Sequence, residues 1–290
     1  MTPRTLRAFH QAHRDDIGDL TTRRPVPGPG IDQVDPFLFL NHHGPQRYSP
    51  NNHGLPFGPH PHRGFETVTF ILEGDLAHLD TGGHESIIHA GGVQWMTAGS
   101  GLVHAEISPD EFKRTGGPLE ILQLWVNLPS RLKMVKPQYV GLQRDEIPTI
   151  VTADGKVRVE LISGHWEGQT GPIQSLTGVE MAVLRLDAGA HLEIPAPEAR
   201  SVFLYVVRGD VTVAGKPVKG FNLAQLNADG DTVQLGATAD SVVLFGLADP
   251  IGEPVVSHGP FVMNTREEIH QAIRDYQAGL FGNSLDNLST

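Results

Sequence analysis

Hydrophobic and polar positions alternate along most of the chain in short runs broken by glycine and proline. FETVTFILE (65–73), closed by Gly74-Asp75, reads as a strand and a turn, and GGVQWMTAG (91–99) as another strand. In LEILQLWVNL (119–128), Leu122, Leu124, Val126 and Leu128 alternate with Gln123, Trp125 and Asn127, the period of two that a pleated strand imposes. The period changes near the C-terminus. Thr265 and Glu268 have capping-box spacing, and Ile269, Ile273 and Tyr276 recur along one helical face, so one helix is expected there. The tail from Asn283 reads as loose.

The strand pattern occurs twice. SVFLYVVRGDVTVAG (201–215) resembles TVTFILEGDLAHLDTG (67–82) when Gly209-Asp210 is laid on Gly74-Asp75. LAQLNADGD (223–231) follows VQWMTAGSG (93–101), and VVLFGLADP (242–250) follows LQLWVNLP (122–129), in the same order. A shared strand composition can mimic one such match, but hardly three in sequence. The expectation is an all-β chain of two antiparallel β-barrels in tandem, with a C-terminal α-helix. Residues 1–132 form the first lobe, 133–149 a linker, 150–262 the second lobe, and 263–290 the helix and tail. The linker region carries the densest positive charge of the chain and a proline.

Composition narrows the function. At 290 residues there is room for two ordinary domains. A net charge of −11 with no dense Lys/Arg run argues against direct nucleic-acid binding, which needs a basic face. The absence of cysteine removes disulfides, Fe–S clusters, thiolate zinc sites and thiol nucleophiles. MTPRTLRAFHQAHRDD lacks the apolar core of a signal peptide, and no run suits a membrane helix, so a cytoplasmic protein is expected.

The fifteen histidines, crowded between His53 and His104, raise the prior for a metal. In GPHPHRGFETV, His60 and His62 project from one face of a strand, and Glu66 keeps the same parity if the strand runs on. Val103-His104-Ala105-Glu106 repeats the device with one imidazole and one carboxylate. If the two strands are neighbours, four ligands converge: His60, His62, His104 and Glu106. A lone His-x-His pair is more often solvent-facing or hydrogen-bonded, and the second pair in a matching module shifts the balance to metal. Three imidazoles and a carboxylate with open positions suit one divalent ion, Fe(II) first, with Mn, Ni, Cu or Zn as alternatives. His42 and His43, in a loop before the motif, have a place at the pocket mouth or in a turn. Trp95 and Met96 read as core before substrate wall, and Phe57 and Phe65 are open between the two. His53, His78, His84, His89, His191 and His258 read as structural or surface residues.

Gly54-x5-His60-x-His62-x3-Glu66-x7-Gly74 is close to the first cupin motif, and the glycine-rich segment ending at His104 resembles the second. HPHRGFETVTF, QWMTAGSGLVHAE, LQLWVNLP and GPFVMNTREEI resemble the pirin family of bicupins, from about Asp35 to Gly282. That resemblance implies metal ligands at His60, His62, His104 and Glu106 and a non-ligand Glu66, assigned to orienting a ligand imidazole; Arg63 is either its companion or part of a surface ion pair. In the second lobe the ligand positions fall on Pro195, Pro197, Gln234 and Gly236, so one ion per chain is expected.

The resemblance also implies an activity: O2-dependent cleavage of a flavonol such as quercetin, with Glu106 as the base that removes a hydroxyl proton. The alternative it carries is a non-enzymatic, iron-binding regulator of protein partners, switched by the metal's redox state. A sugar-isomerase-like or storage cupin rests on fold analogy alone. A second lobe that covers the first favours a monomer.

Overall fold

The computed structural model describes residues 1–282 and 285; the tail expected to be loose from Asn283 lies outside the described residues. Among the described residues no helix is long and apolar enough to cross a membrane.

The chain forms two compact units. One holds Arg14–Arg23, Phe39–Arg144 and the chain from Ile251 on; it carries the clustered histidines and is called the histidine unit below. The other, the second unit, holds Met1–His13, Arg24–Leu38 and Asp145–Pro250. Neither is a contiguous block such as 1–132 or 150–262. The reason is strand pairing within the second unit: Leu6–Gln11 lies antiparallel to Asn222–Leu226, with Leu6 opposite Leu226 and Gln11 opposite Asn222. The segment read as a linker is built into the histidine unit as far as Arg144, since Gln138–Leu142 pairs with Val93–Thr97, and its remainder belongs to the second unit.

Each unit contains a smaller and a larger sheet, and these sheets do not close into a single ring of strands. In the histidine unit the smaller sheet runs Phe57–His62, Leu102–Ile107, Asp75–Asp80, Glu85–His89. The larger begins Gln138–Leu142, Val93–Thr97, Phe65–Glu73, Gly117–Asn127, Phe37–Tyr48. In the second unit the smaller sheet runs His191–Pro195, Thr232–Ala237, Asp210–Val213, Lys216–Lys219. The larger begins Leu6–Gln11, Asn222–Leu226, Ser201–Arg208, Ser241–Ala248, Glu180–Leu186. Laying Gly209-Asp210 on Gly74-Asp75 matches the two orders strand for strand except at one edge, where Gln138–Leu142 and Leu6–Gln11 hold the same place but come from unrelated parts of the chain. Even the irregularities repeat: the ladder slips beside Glu73 in one unit and beside Arg208, its equivalent, in the other. The duplication legible in sequence is therefore a duplication of one two-sheet topology.

The cores differ in content. Second-unit strands bury aliphatic side chains such as Val159, Leu184, Val206, Val233 and Leu235 in one cluster. The histidine unit has an apolar cluster around Ile71, Leu76, Ile88, Phe112 and Ile121, and it also buries polar side chains such as His62, Thr69, Gln94, His104 and Glu106. The C-terminal helix, Arg266–Gln277, begins at the expected capping box, with Thr265 accepting from the Glu268 backbone N–H. Its Ile269 and Ala272 bury against Val103, Phe261 and Met263. Burial of a side chain the size of Ile269 contributes about 1.5–3 kcal/mol.

One charged side chain fastens the histidine unit internally. Lys133, 1% exposed, donates from Nζ to Gly64 O at 2.9 Å, Asn127 Oδ1 at 2.8 Å and Val262 O at 3.0 Å. The turn it grips needs glycine: Gly64 has φ +87°, and a Cβ there would meet Val262 O at 2.0 Å.

Candidate metal centre

Three strands of the smaller sheet in the histidine unit supply the centre. His60 stands opposite His104, and Leu102 opposite His62, so both pairs meet on adjacent antiparallel strands. The next strand places Asp80 opposite His104 and His78 opposite Glu106. Directly opposite residues share a face of a sheet, so His60, His104, Glu106, His78 and Asp80 line one surface.

The imidazole nitrogens of His60, His62 and His104 lie within 4.8 Å of one another. Their ring centroids are 4.3 Å apart for His60–His104, 4.8 Å for His60–His62 and 4.9 Å for His62–His104. His60 Nδ1 is 2.7 Å from Gly58 O, and His62 Nδ1 is 3.3 Å from Pro260 O. A backbone carbonyl at Nδ1 fixes the proton there and leaves Nε2 with its lone pair. His104 is fully buried, and neither of its nitrogens has a hydrogen-bond partner. Burial, reinforced by His60, pulls the His62 pKa down to about 3. Burial, then His60, His62 and His78, holds His104 well below the ordinary histidine range. Two buried neutral imidazoles, one with both nitrogens unsatisfied, fit a cation and are costly without one.

Glu106 stands outside that nitrogen group. Its Oε1 accepts from Thr69 Oγ1 at 3.0 Å and from Gln94 Nε2, and its Oε2 accepts from Gln123 Nε2. Behind it, Tyr139 donates its hydroxyl to Gln94 Oε1 at 3.2 Å and stacks on His78 with centroids 4.0 Å apart. His78 in turn meets Asp80 at 3.0 Å, and Asp80 also holds His84. The wall beside His62 is aromatic: Phe65 and Trp125 are 5.0 Å and 5.5 Å from its ring, and Phe39 stacks on Trp125 at 4.7 Å.

Several expectations change. Glu66 does not share a face with His60 and His62, because the turn at Gly64 ends one strand and Phe65 begins another in the larger sheet. Phe65 and Thr69 contact the site from that strand, whereas Glu66 accepts from Thr97 Oγ1 at 2.6 Å and keeps a buried, unpartnered Oε2. It orients no imidazole through a hydrogen bond. Arg63 is neither beside the ligands nor on the surface: it is 5% exposed, pairs with Asp275 at 2.7 Å and lies 4.6 Å over the Phe281 ring. His42 and His43 are buried in a strand, not a loop, bonded to Glu120 at 2.9 Å and Thr22 Oγ1 at 2.9 Å. His78 is a buried member of the network, while Trp95 and Met96 are buried as expected.

The second unit's equivalents also shift by one residue. The ladder opposes Ile194 to Val233 where the histidine unit opposes His60 to His104. The four ligand positions thus fall on Ile194, Ala196, Val233 and Leu235, all buried in one apolar cluster, not on Pro195, Pro197, Gln234 and Gly236.

Gln94, Gln123, Thr69 and Tyr139 were not singled out by sequence. Their one signal is the stripe Gln123, Trp125, Asn127, whose polar alternation marks an interior face here and not a solvent face.

Known proteins resemble this chain along most of its length. The family described as Pirin matches residues 19–126, and the Pirin C-terminal cupin domain matches residues 181–282. A pirin-like protein of Caulobacter vibrioides is 44% identical over 87% of this chain and 90% of its own length. Human pirin is 39% identical over 94% of this chain and 91% of its own. The crystal structure of a quercetin 2,3-dioxygenase from Acinetobacter baumannii superposes with TM-score 0.91 and 33% identity, covering 97% of this chain and 99% of that one.

Proposed function

The chain belongs to the pirin family, and from that premise we propose that it is a metal-dependent dioxygenase cleaving a flavonol such as quercetin, with His60, His62, His104 and Glu106 holding one divalent ion. The observation that carries the proposal is the convergence of three imidazoles, with both His104 nitrogens buried and unpartnered. Fe(II) is the first candidate, and Mn, Ni, Cu and Zn suit the same donors. The apolar counterparts in the second unit support one ion per chain.

A divalent ion in this site supplies Lewis acidity toward substrate oxygens and a meeting point for dioxygen and substrate. The chain's own residues do the rest. Gly58 and Pro260 carbonyls hold the His60 and His62 rings by their Nδ1 atoms. Thr69, Gln94 and Gln123 hold the Glu106 carboxylate, leaving it the base placed to take the flavonol 3-hydroxyl proton. Phe65 and Trp125 offer a flat apolar wall that suits an aromatic substrate and excludes water.

The test is oxygen uptake with quercetin by anaerobically iron-loaded protein, against apo protein and His62→Ala. Uptake that requires both metal and His62 is expected; Glu106→Gln that binds metal fully and turns over normally contradicts the assigned base. A cytoplasmic, metal-dependent regulator of a protein partner is the second reading, supported by the net charge of −11 and the ligand-free second unit. No uptake by metal-loaded protein, with partner capture that differs between Fe(II) and Fe(III) forms, favours it.

A further inference from the structure

A cavity of about 240 Å³ opens within the second unit. Its apolar lining is Leu161, Met181, Ala182, Ile194, Phe245 and Leu247. The matched ladders make Ile194 the counterpart of His60, Phe245 of Gln123 and Leu247 of Trp125. The cavity thus lies in the second unit where the counterparts of His60, Gln123 and Trp125 meet, with hydrocarbon in place of the imidazole and the amide.

Its mouth is not apolar. Trp166 comes from a hairpin, His165–Trp166 paired with Gln169–Thr170, and stands edge-on to Phe245 with centroids 6.3 Å apart. Around it lie His165, Glu167, Glu180 and Glu193, and no lysine or arginine is among the lining residues. Glu180 is paired with Arg200, and Glu193 accepts from Gln234 Nε2 at 3.0 Å. Glu167, at the tip of the hairpin, is exposed.

We infer that this cavity binds a small hydrophobic cation, an aryl- or alkylammonium, with its apolar body on the floor and its charge among Trp166 and the carboxylates. An anion meets like charge at the mouth, and a polyol leaves the floor unpaired with hydrocarbon. An ammonium gains from both the indole and the carboxylates. This site is independent of the dioxygenase proposal and uses none of its residues.

Calorimetric titration with benzylammonium, benzyl alcohol and benzoate separates the alternatives. One saturable benzylammonium site per chain is expected, about tenfold tighter than for benzyl alcohol, with no benzoate binding. Trp166→Ala should weaken it about tenfold, Glu167→Gln with Glu193→Gln about as much, and His62→Ala not at all. Trp166→Phe keeps an aromatic ring and should retain most of the affinity, which separates ligand loss from unfolding. Equal binding of the alcohol, binding indifferent to the Trp166 and glutamate variants, or binding lost in His62→Ala overturns the inference, as does no saturable binding.

Discussion

Glu66 is buried to 1% exposure with Thr97 on one oxygen and nothing on the other. Burial raises its pKa to about 7, only partly offset by the Thr97 hydroxyl. The folded state then holds this proton more tightly than the unfolded chain. Stability falls as pH rises from the ordinary glutamate value of 4.5 to about 7, and the full penalty, of order 3 kcal/mol, applies above that. Glu66→Gln is therefore expected to melt above the wild type at pH 8, with the gap closing by pH 4; parallel thermal melts check it. Sequence parity misplaced this residue because it assumed one strand through Gly64, where a left-handed glycine separates two. Gln123 was hidden for a related reason: a polar stripe on a strand reads as solvent-facing, and here it faces a carboxylate. On the proposed function, Gln123→Leu should lower oxygen uptake with quercetin by about ten- to a hundredfold at an unchanged fold, because Glu106 loses a hydrogen bond that orients its carboxylate. Uptake and bound metal measured together decide it.

At the scale of elements, the strands and the capped C-terminal helix were legible because each has a strong period and clear punctuation. The stretch after Leu128 was not. Its charges read as a solvated linker, yet Lys133 is buried with three acceptors from three separate segments of the histidine unit. Burial lowers its pKa to about 8. Lys133→Met keeps the stem but strands two backbone carbonyls and an amide oxygen, at an expected cost of about 3 kcal/mol in denaturant unfolding. Because Gly64 O is one of those carbonyls, the turn that follows His62 should loosen with it, and metal affinity should fall in the same variant while Lys216→Met, an exposed control, changes neither.

For the molecule as a whole, three ordered sequence matches were enough to reveal the duplication, and the two sheets of each unit repeat it. The ligand-free character of the second unit was also legible, but not its register. A slip of one residue moves every side chain to the other face, so prolines stood in the reading where Ile194 and Ala196 stand in the fold. A metal that binds only the histidine unit stabilises only what it touches, by about 4 kcal/mol at a thousandfold excess over Kd. Hydrogen exchange after Fe(II) loading should slow in Phe57–His62 and Leu102–Ile107 and stay unchanged in His191–Pro195 and Thr232–Ala237; equal slowing in both would argue for a second ion. The pairing of Leu6–Gln11 with Asn222–Leu226 carries a consequence for biosynthesis. Leu6–Gln11 is synthesised some two hundred residues ahead of its partner, while the intervening histidine-bearing strands find their neighbours first. In the meantime Leu6–Gln11 is an open edge that other chains can pair with. Slowing translation therefore prolongs the aggregation-prone interval, and trimming the N-terminal arm transfers the open edge to Asn222–Leu226 in the finished protein.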